Sequence, residues 1–171
     1  QDFWRLAGIE RDVYLISRPK VSLEDFFAIG DLDKSYKNGI FSMDVNVRNF
    51  NQAAASGYSV EVGLLDAAGK TVFTKKIGVP SIAAGGEEKV SFSQSVSNPK
   101  QWSAEYPNLY SVTVALKDAK GKTTEVTASK TGFRKIEMKN GQVWINGTPI
   151  IIRGTNIHEH HPVTGHTVDQ A

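Results

Sequence analysis

Cysteine is absent from all 171 residues, which excludes disulfides, thiolate metal sites and a cysteine nucleophile. The same absence leaves cytoplasm and periplasm equally open as compartments. No apolar run approaches the ~20 residues that a membrane-spanning helix needs, so no membrane partner is expected. Charge of one sign is not in excess either, since twenty Lys and Arg face eighteen Asp and Glu for a net +2. With no run of like charges and no basic stripe interleaved with aromatics, nucleic acid is not an expected partner. The first residues lack the basic start and apolar core of a secretory signal, and Gln1 is not an initiator. The expectation is an excerpt whose true N-terminus lies upstream. A helical period sustained over three turns is missing too. What remains is enough apolar residue, 40 % of the chain, to bury a core.

Alternation with a period of two dominates from Val21 to Phe133. Phe41, Met43, Val45 and Val47 alternate with Ser42, Asp44, Asn46 and Arg48, the pattern of a strand with one wet face. Tyr58, Val60, Val62 and Leu64 repeat it, and Asp66-Ala67-Ala68-Gly69 then turns the chain into Thr71-Val72-Phe73. Val90 and Phe92 alternate with serines. Tyr110, Val112, Val114 and Leu116 alternate with polar or small residues, and Asp118-Ala119-Lys120-Gly121 turns the chain into Thr123-Thr124-Glu125-Val126-Thr127. Six or seven short strands within about 110 residues predict an all-β fold, an immunoglobulin-like β-sandwich.

Few residues inside that sandwich suit chemistry. Gly78 to Gly86 reads as a flexible connection, and Glu87-Glu88-Lys89 as a solvated entry into the next strand. Trp102-Ser103-Ala104-Glu105-Tyr106-Pro107-Asn108-Leu109-Tyr110 has two readings. Its aromatics could stack on sugar, or they form a structural corner in which Pro107 fixes the turn and Trp102 closes one end of the core. Upstream, Phe3 and Trp4 between Asp2 and Arg5 offer the same pair of readings, a sugar platform or a core Trp with flanking charges. Val13 to Ile16 is β-rich and ends at Arg18-Pro19, a last strand without its sheet.

Beyond Phe133, Ile136 and Met138 alternate with charged neighbours, Asn140-Gly141 makes a hairpin turn into Val143-Trp144-Ile145, and Asn146-Gly147 turns again. Ile150-Ile151-Ile152 is apolar on both faces, as in a strand of a parallel sheet or barrel. It leads into Asn156 and His158-Glu159-His160-His161-Pro162. Zinc-protease spacing needs a second His four residues after the first, and position 162 is Pro, so that pattern fails. On a strand His158 and His160 would face the same way, which permits a metal pair lacking a third ligand. Equally, neutral imidazoles and an amide at the mouth of a barrel suit sugar hydroxyls.

Three segments together carry a resemblance: Asp2-Phe3-Trp4-Arg5 through Asp12-Val13; Trp102 through Tyr110; and Gly132-Phe133-Arg134 with Asn146-Gly147-Thr148-Pro149 and Arg153-Gly154-Thr155-Asn156-Ile157-His158-Glu159-His160-His161-Pro162. They resemble glycoside hydrolase family 2, and within it the large β-galactosidases. The resemblance implies residues 1–19 as the end of a sugar-binding jelly roll, 20–133 as the immunoglobulin-like sandwich, and 134–171 as the start of a (β/α)8 catalytic barrel. It further implies that Asp2 contacts galactose and holds a sodium ion, and that His158 contacts the galactosyl group. The two catalytic glutamates, and most ligands of the family's magnesium, would lie beyond residue 171. The expected partners are a β-galactoside substrate, other domains of the same chain, and further copies in a homo-oligomer. A β-glucuronidase or β-mannosidase of the same family, and a stand-alone carbohydrate-binding module, are the alternatives.

Overall fold

The computed structural model describes residues 8–9 and 12–165. They fall into two compact units, one running from Arg18 to Ile150 and the other drawn from the described residues on either side of it. In the first unit seven strands follow in order: β1 (Val21–Leu32), β2 (Gly39–Asn49), β3 (Ser59–Leu65), β4 (Thr71–Gly78), β5 (Glu87–Val96), β6 (Tyr110–Lys117) and β7 (Thr123–Thr131). They make a three-stranded sheet in the order β1-β2-β5 and a four-stranded sheet in the order β4-β3-β6-β7. Every neighbouring pair is antiparallel. No helix occurs among the described residues.

Alternation decides which side chains meet between the sheets. Phe41, Met43, Val45 and Val47 from β2 are fully buried opposite Val60, Val62 and Leu64 from β3 and Val112, Val114 and Leu116 from β6. Aromatic rings knit the two layers, with the Phe41 ring edge-on to Phe73 of β4 at 5.4 Å and Phe73 edge-on to Phe92 of β5 at 6.4 Å. This is an immunoglobulin-like sandwich, as the alternation predicts. β1 is harder to see in sequence because a bulge between Leu23 and Asp25 shifts its register on β2. The bulge moves every later side chain to the opposite face, which leaves Phe27 and Ile29 pointing outward.

The end of the core is closed by Phe133 and Tyr110, not by Trp102. Phe133 is fully buried with its ring edge-on to Tyr110 at 5.1 Å, whereas Trp102 is only half-buried. Tyr110 stands at the start of β6 and its hydroxyl accepts a hydrogen bond from Lys100 N at 2.9 Å, the tie of a tyrosine corner. The Gly78 to Gly86 connection is likewise anchored. Ile82 is fully buried and pairs with Ala55 through two backbone hydrogen bonds of 2.8 and 2.9 Å.

Both Asn-Gly hairpins form. β8 (Ile136–Lys139) pairs with β9 (Gln142–Ile145), and β9 pairs with β10 (Thr148–Pro149). All four turn residues have positive φ, from 51° at Asn140 and Asn146 to 79° at Gly147, as a two-residue type I′ turn demands. The Val13–Ile16 and Ile150–Ile152 stretches carry no ladder, and Leu15 and Ile151 are exposed. An apolar segment becomes a strand only when a neighbour supplies hydrogen-bond partners along its length; among the described residues Ile150 N alone of the backbone groups in these stretches bonds outward, to Val143 O at 2.9 Å.

Candidate functional site

The densest polar constellation sits at the end of the sandwich where β7 gives way to the hairpins. The chain crosses from β7 through Phe133, whose backbone bridges to Gly30 of β1 and to Gln101. Arg134 N donates to Gly30 O at 3.0 Å, and Trp102 N donates to Phe133 O at 2.9 Å. Gly132 has to be small here, because a Cβ would lie 2.8 Å from the Trp102 Cβ. Arg134 then lays its guanidinium over the Trp102 ring, 4.5 Å from the centroid. One Trp102 face is thus already covered, which argues against Trp102 as a sugar platform. Tyr106, the other candidate, is exposed at the loop tip, where Ser103 N donates to Tyr106 O.

Asn146 fastens the second hairpin to this corner. Its backbone N donates to Lys135 O, its Oδ1 accepts from Lys135 N, both at 2.9 Å, and its Nδ2 donates to Trp102 O at 3.0 Å. Lys135 in turn reaches Asp31 Oδ2 and Leu32 O, each at 3.0 Å. Beside it, the Tyr36 hydroxyl donates to Glu137 Oε2 at 2.6 Å and accepts from Lys139 Nζ at 2.7 Å, while Lys139 also pairs with Glu137 at 3.0 Å. Gly147 lies against the Tyr36 ring. The hydrogen bond from Tyr36, followed by the Lys139 ammonium, holds the Glu137 carboxyl below its usual range; the same Tyr36 contact, then Glu137, pushes Lys139 up. The Tyr36 loop itself is fixed by Asp33, whose carboxylate accepts from the backbone N of Lys37 and of Ser35 and from the Ser35 hydroxyl. The Lys37 backbone donor first, then the Ser35 hydroxyl, lower the Asp33 pKa to about 2.

This arrangement commits the Asp31 and Glu137 carboxylates and the Lys135 and Lys139 ammonium groups to one another, to Tyr36 and to the backbone. What it does is hold two hairpins rigidly on the sandwich. Periodicity does not reveal it, because Tyr36 and Glu137 are 101 residues apart in sequence.

The residues expected to touch substrate lie elsewhere. Asp2, with Phe3, Trp4 and Arg5, lies outside the described residues. His158, Glu159 and His160 occupy an exposed stretch without regular secondary structure in the second unit. His161 is committed to a local turn: its backbone exchanges two hydrogen bonds with Gly165, and its Nδ1 accepts from Val163 N and Thr164 N at 3.3 and 3.1 Å. A ring nitrogen engaged this way serves the backbone and is poorly placed to bind a metal. Among the described residues no three His, Asp or Glu side chains converge as a metal site requires, and Asp2, the residue expected to hold sodium, lies outside them.

Comparison with known proteins supplies the wider frame. Residues 21–134 match Glycosyl hydrolases family 2, and residues 136–171 match the TIM barrel domain of the same family. The chain is 41 % identical over 180 residues to a β-galactosidase of Photobacterium profundum, covering 99 % of this chain and 16 % of that protein. It is 39 % identical over 165 residues to a β-galactosidase of Priestia megaterium, covering 96 % of this chain and again 16 % of the relative. Among solved structures, β-glucuronidase 3 of Bacteroides uniformis superposes with a TM-score of 0.74 at 25 % identity, covering 94 % of this chain and 19 % of that one. The chain therefore spans 16 % of the length of the curated relatives it matches. Sandwich, hairpins and sequence matches agree: the chain belongs to glycosyl hydrolases family 2.

Proposed function

We propose that residues 1–171 are part of a retaining β-galactosidase that hydrolyses terminal β-D-galactosides such as lactose, and that this part is a scaffold without hydrolytic activity of its own. The observation that carries the reading is the 41 % and 39 % identity to β-galactosidases over nearly the whole chain. In this reading residues 1–19 end a jelly roll, 20–133 space it from the barrel, and 134–171 enter the barrel. The chemistry is assigned to two glutamates outside these residues. In a retaining glycosidase such carboxyls stand about 5 to 5.5 Å apart; one protonates the leaving oxygen while the other forms the glycosyl-enzyme. Asp2 and His158 would contact the galactosyl group, and sodium at Asp2 and magnesium elsewhere belong to the whole enzyme. A homo-oligomer is the expected state of the full-length polypeptide.

A β-glucuronidase is the second reading, supported by the likeness to β-glucuronidase 3. It is weaker because its sequence identity, 25 %, is well below that to the β-galactosidases. The two separate on nitrophenyl β-galactoside and nitrophenyl β-glucuronide offered to the full-length polypeptide. Faster release from the galactoside supports the proposal, and release from the glucuronide alone overturns it. The 171-residue chain by itself is expected to release nothing above a buffer blank from either.

A further inference from the structure

An asparagine followed by glycine is open to attack by the main chain on its own side chain, because glycine has no Cβ to shield its nitrogen. The chain has three such pairs, Asn38-Gly39, Asn140-Gly141 and Asn146-Gly147, and the fold treats them differently. Asn146 is half-buried with its carboxamide held at both ends, Oδ1 by Lys135 N at 2.9 Å and Nδ2 by Trp102 O at 3.0 Å, while Gly147 lies against the Tyr36 ring. Swinging its Cγ onto Gly147 N breaks both hydrogen bonds. Asn38 is also tied, its Nδ2 donating to Asp33 Oδ2 at 3.0 Å and its Oδ1 accepting from Asn98 N at 3.4 Å. Gly39 behind it is buried in β2, paired with Leu32 on one side and Val96 on the other. Asn140 is the exception. It is exposed at the tip of the β8–β9 hairpin, and no described residue hydrogen-bonds its side chain. Nothing lies within 4 Å of where a Cβ on Gly141 would stand. The ladder behind the tip is four residue pairs long, closing at Lys139 and Gln142, so the turn can unwind locally without disturbing the sandwich.

We propose that Asn140 is a self-modification site, where the folded chain loses ammonia and converts the asparagine to aspartate and isoaspartate while Asn38 and Asn146 persist. Gly141 N gives its proton to solvent base and attacks Asn140 Cγ. A C–N bond forms, the Cγ–Nδ2 bond breaks, and the amide group takes up a proton and leaves as ammonia. The resulting succinimide adds a water molecule. Opening at one ring carbonyl gives aspartate, and opening at the other gives isoaspartate. The balance is water in and ammonia out, with nothing oxidised or reduced. Isoaspartate routes the main chain through the former side chain and so adds a methylene to it. A two-residue turn fixes the register of its hairpin, and the lengthened turn no longer fits β8 to β9. The new carboxylate also stands next to Lys139, whose ammonium holds the Tyr36 hydroxyl and Glu137. The modification therefore loosens the first hairpin and leaves the sandwich intact.

Incubation of the 171-residue chain at mildly alkaline pH, followed by peptide mapping with mass spectrometry, tests the proposal. Asn140 and Asn146 share a tryptic peptide that ends at Arg153, so fragment ions are needed to assign each. Asn140 should convert at least roughly tenfold faster than Asn146 or Asn38, the factor that two intact hydrogen bonds impose. Isoaspartate methyltransferase should label the converted peptide. In urea the three pairs should convert at similar rates, since it is the fold that ranks them. Equal rates in the native chain, an unmodified Asn140, or the native ranking persisting in urea would each overturn the proposal. Gly141→Ala supplies a second arm, because a Cβ has room there and covers the attacking nitrogen; conversion at Asn140 should fall severalfold. Unchanged conversion would mean that Gly141 N is not the nucleophile and would overturn the proposed route. The isoaspartate form, separated by ion exchange, should exchange its β8 and β9 amides faster than the parent while the amides of β2 and β3 keep their rates. Unaltered β8 and β9 exchange would overturn the loosening.

Discussion

Asn49 is the residue on which the most local structure depends. It is fully buried at the end of β2, yet its amide is used completely. Nδ2 donates to Ala53 O at 2.8 Å, Ile82 O at 3.2 Å and Ala83 O at 3.1 Å, while Oδ1 accepts from the backbone N and side chain of Asn51. Asn49→Ala leaves those backbone groups unsatisfied in a closed site and should cost about 3 kcal/mol in a urea melt. A loss below about 1 kcal/mol would mean that water replaces the amide. Asp33 makes a different test, one of pH. Its folded pKa, about 2, lies below the ordinary 3.8, so its stabilisation is complete above 3.8 and is lost as pH falls toward 2. Asp33→Asn should therefore make Tm fall less steeply with acid in that window. Parallel curves for the two proteins would show that the Tyr36 loop does not depend on this carboxylate.

At the level of elements, alternation made β2, β3, β6 and both Asn-Gly hairpins readable, because each has one buried face or a turn with a strict φ requirement. β1 was not readable, since its bulge interrupts the period. The Gly78 to Gly86 connection reads as flexible from its small residues, but the buried Ile82 and the Asn49 amide hold it. The hairpin mount was the least legible part of the candidate site, because its hydrogen bonds join residues that no local pattern relates. Gly147 tests that mount. Its φ is 79° and a Cβ would lie 2.8 Å from the Tyr36 ring. Gly147→Ala combines a left-handed backbone penalty of about 1–2 kcal/mol with displacement of that ring. Amide exchange at Asn146 and Ile150, which bond to Lys135 and Val143, should accelerate about tenfold or more. The amides of β2 and β3 should keep their protection. If they lose it as well, the hairpins and sandwich open as one cooperative body.

On the scale of the whole molecule, stability and activity are expected to reside in different residues. Among the described residues the buried core and every strand lie between Arg18 and Ile150, whereas His158, the residue proposed to contact substrate, is exposed in the other unit. His158→Ala should thus leave the melting temperature of the 171-residue chain within roughly 1 °C of its starting value, as surface substitutions do. In the full-length polypeptide the same change should lower kcat/KM for a nitrophenyl galactoside about 100-fold, the order expected when one donor to the developing charge is removed. A fall in kcat with little change in KM would mark a contact made in the transition state, and a rise in KM alone would mark ground-state binding. Unchanged kinetics would remove His158 from the galactosyl contacts. Recognition would then fall, in the proposed reading, to Asp2 and to the glutamates placed outside these residues.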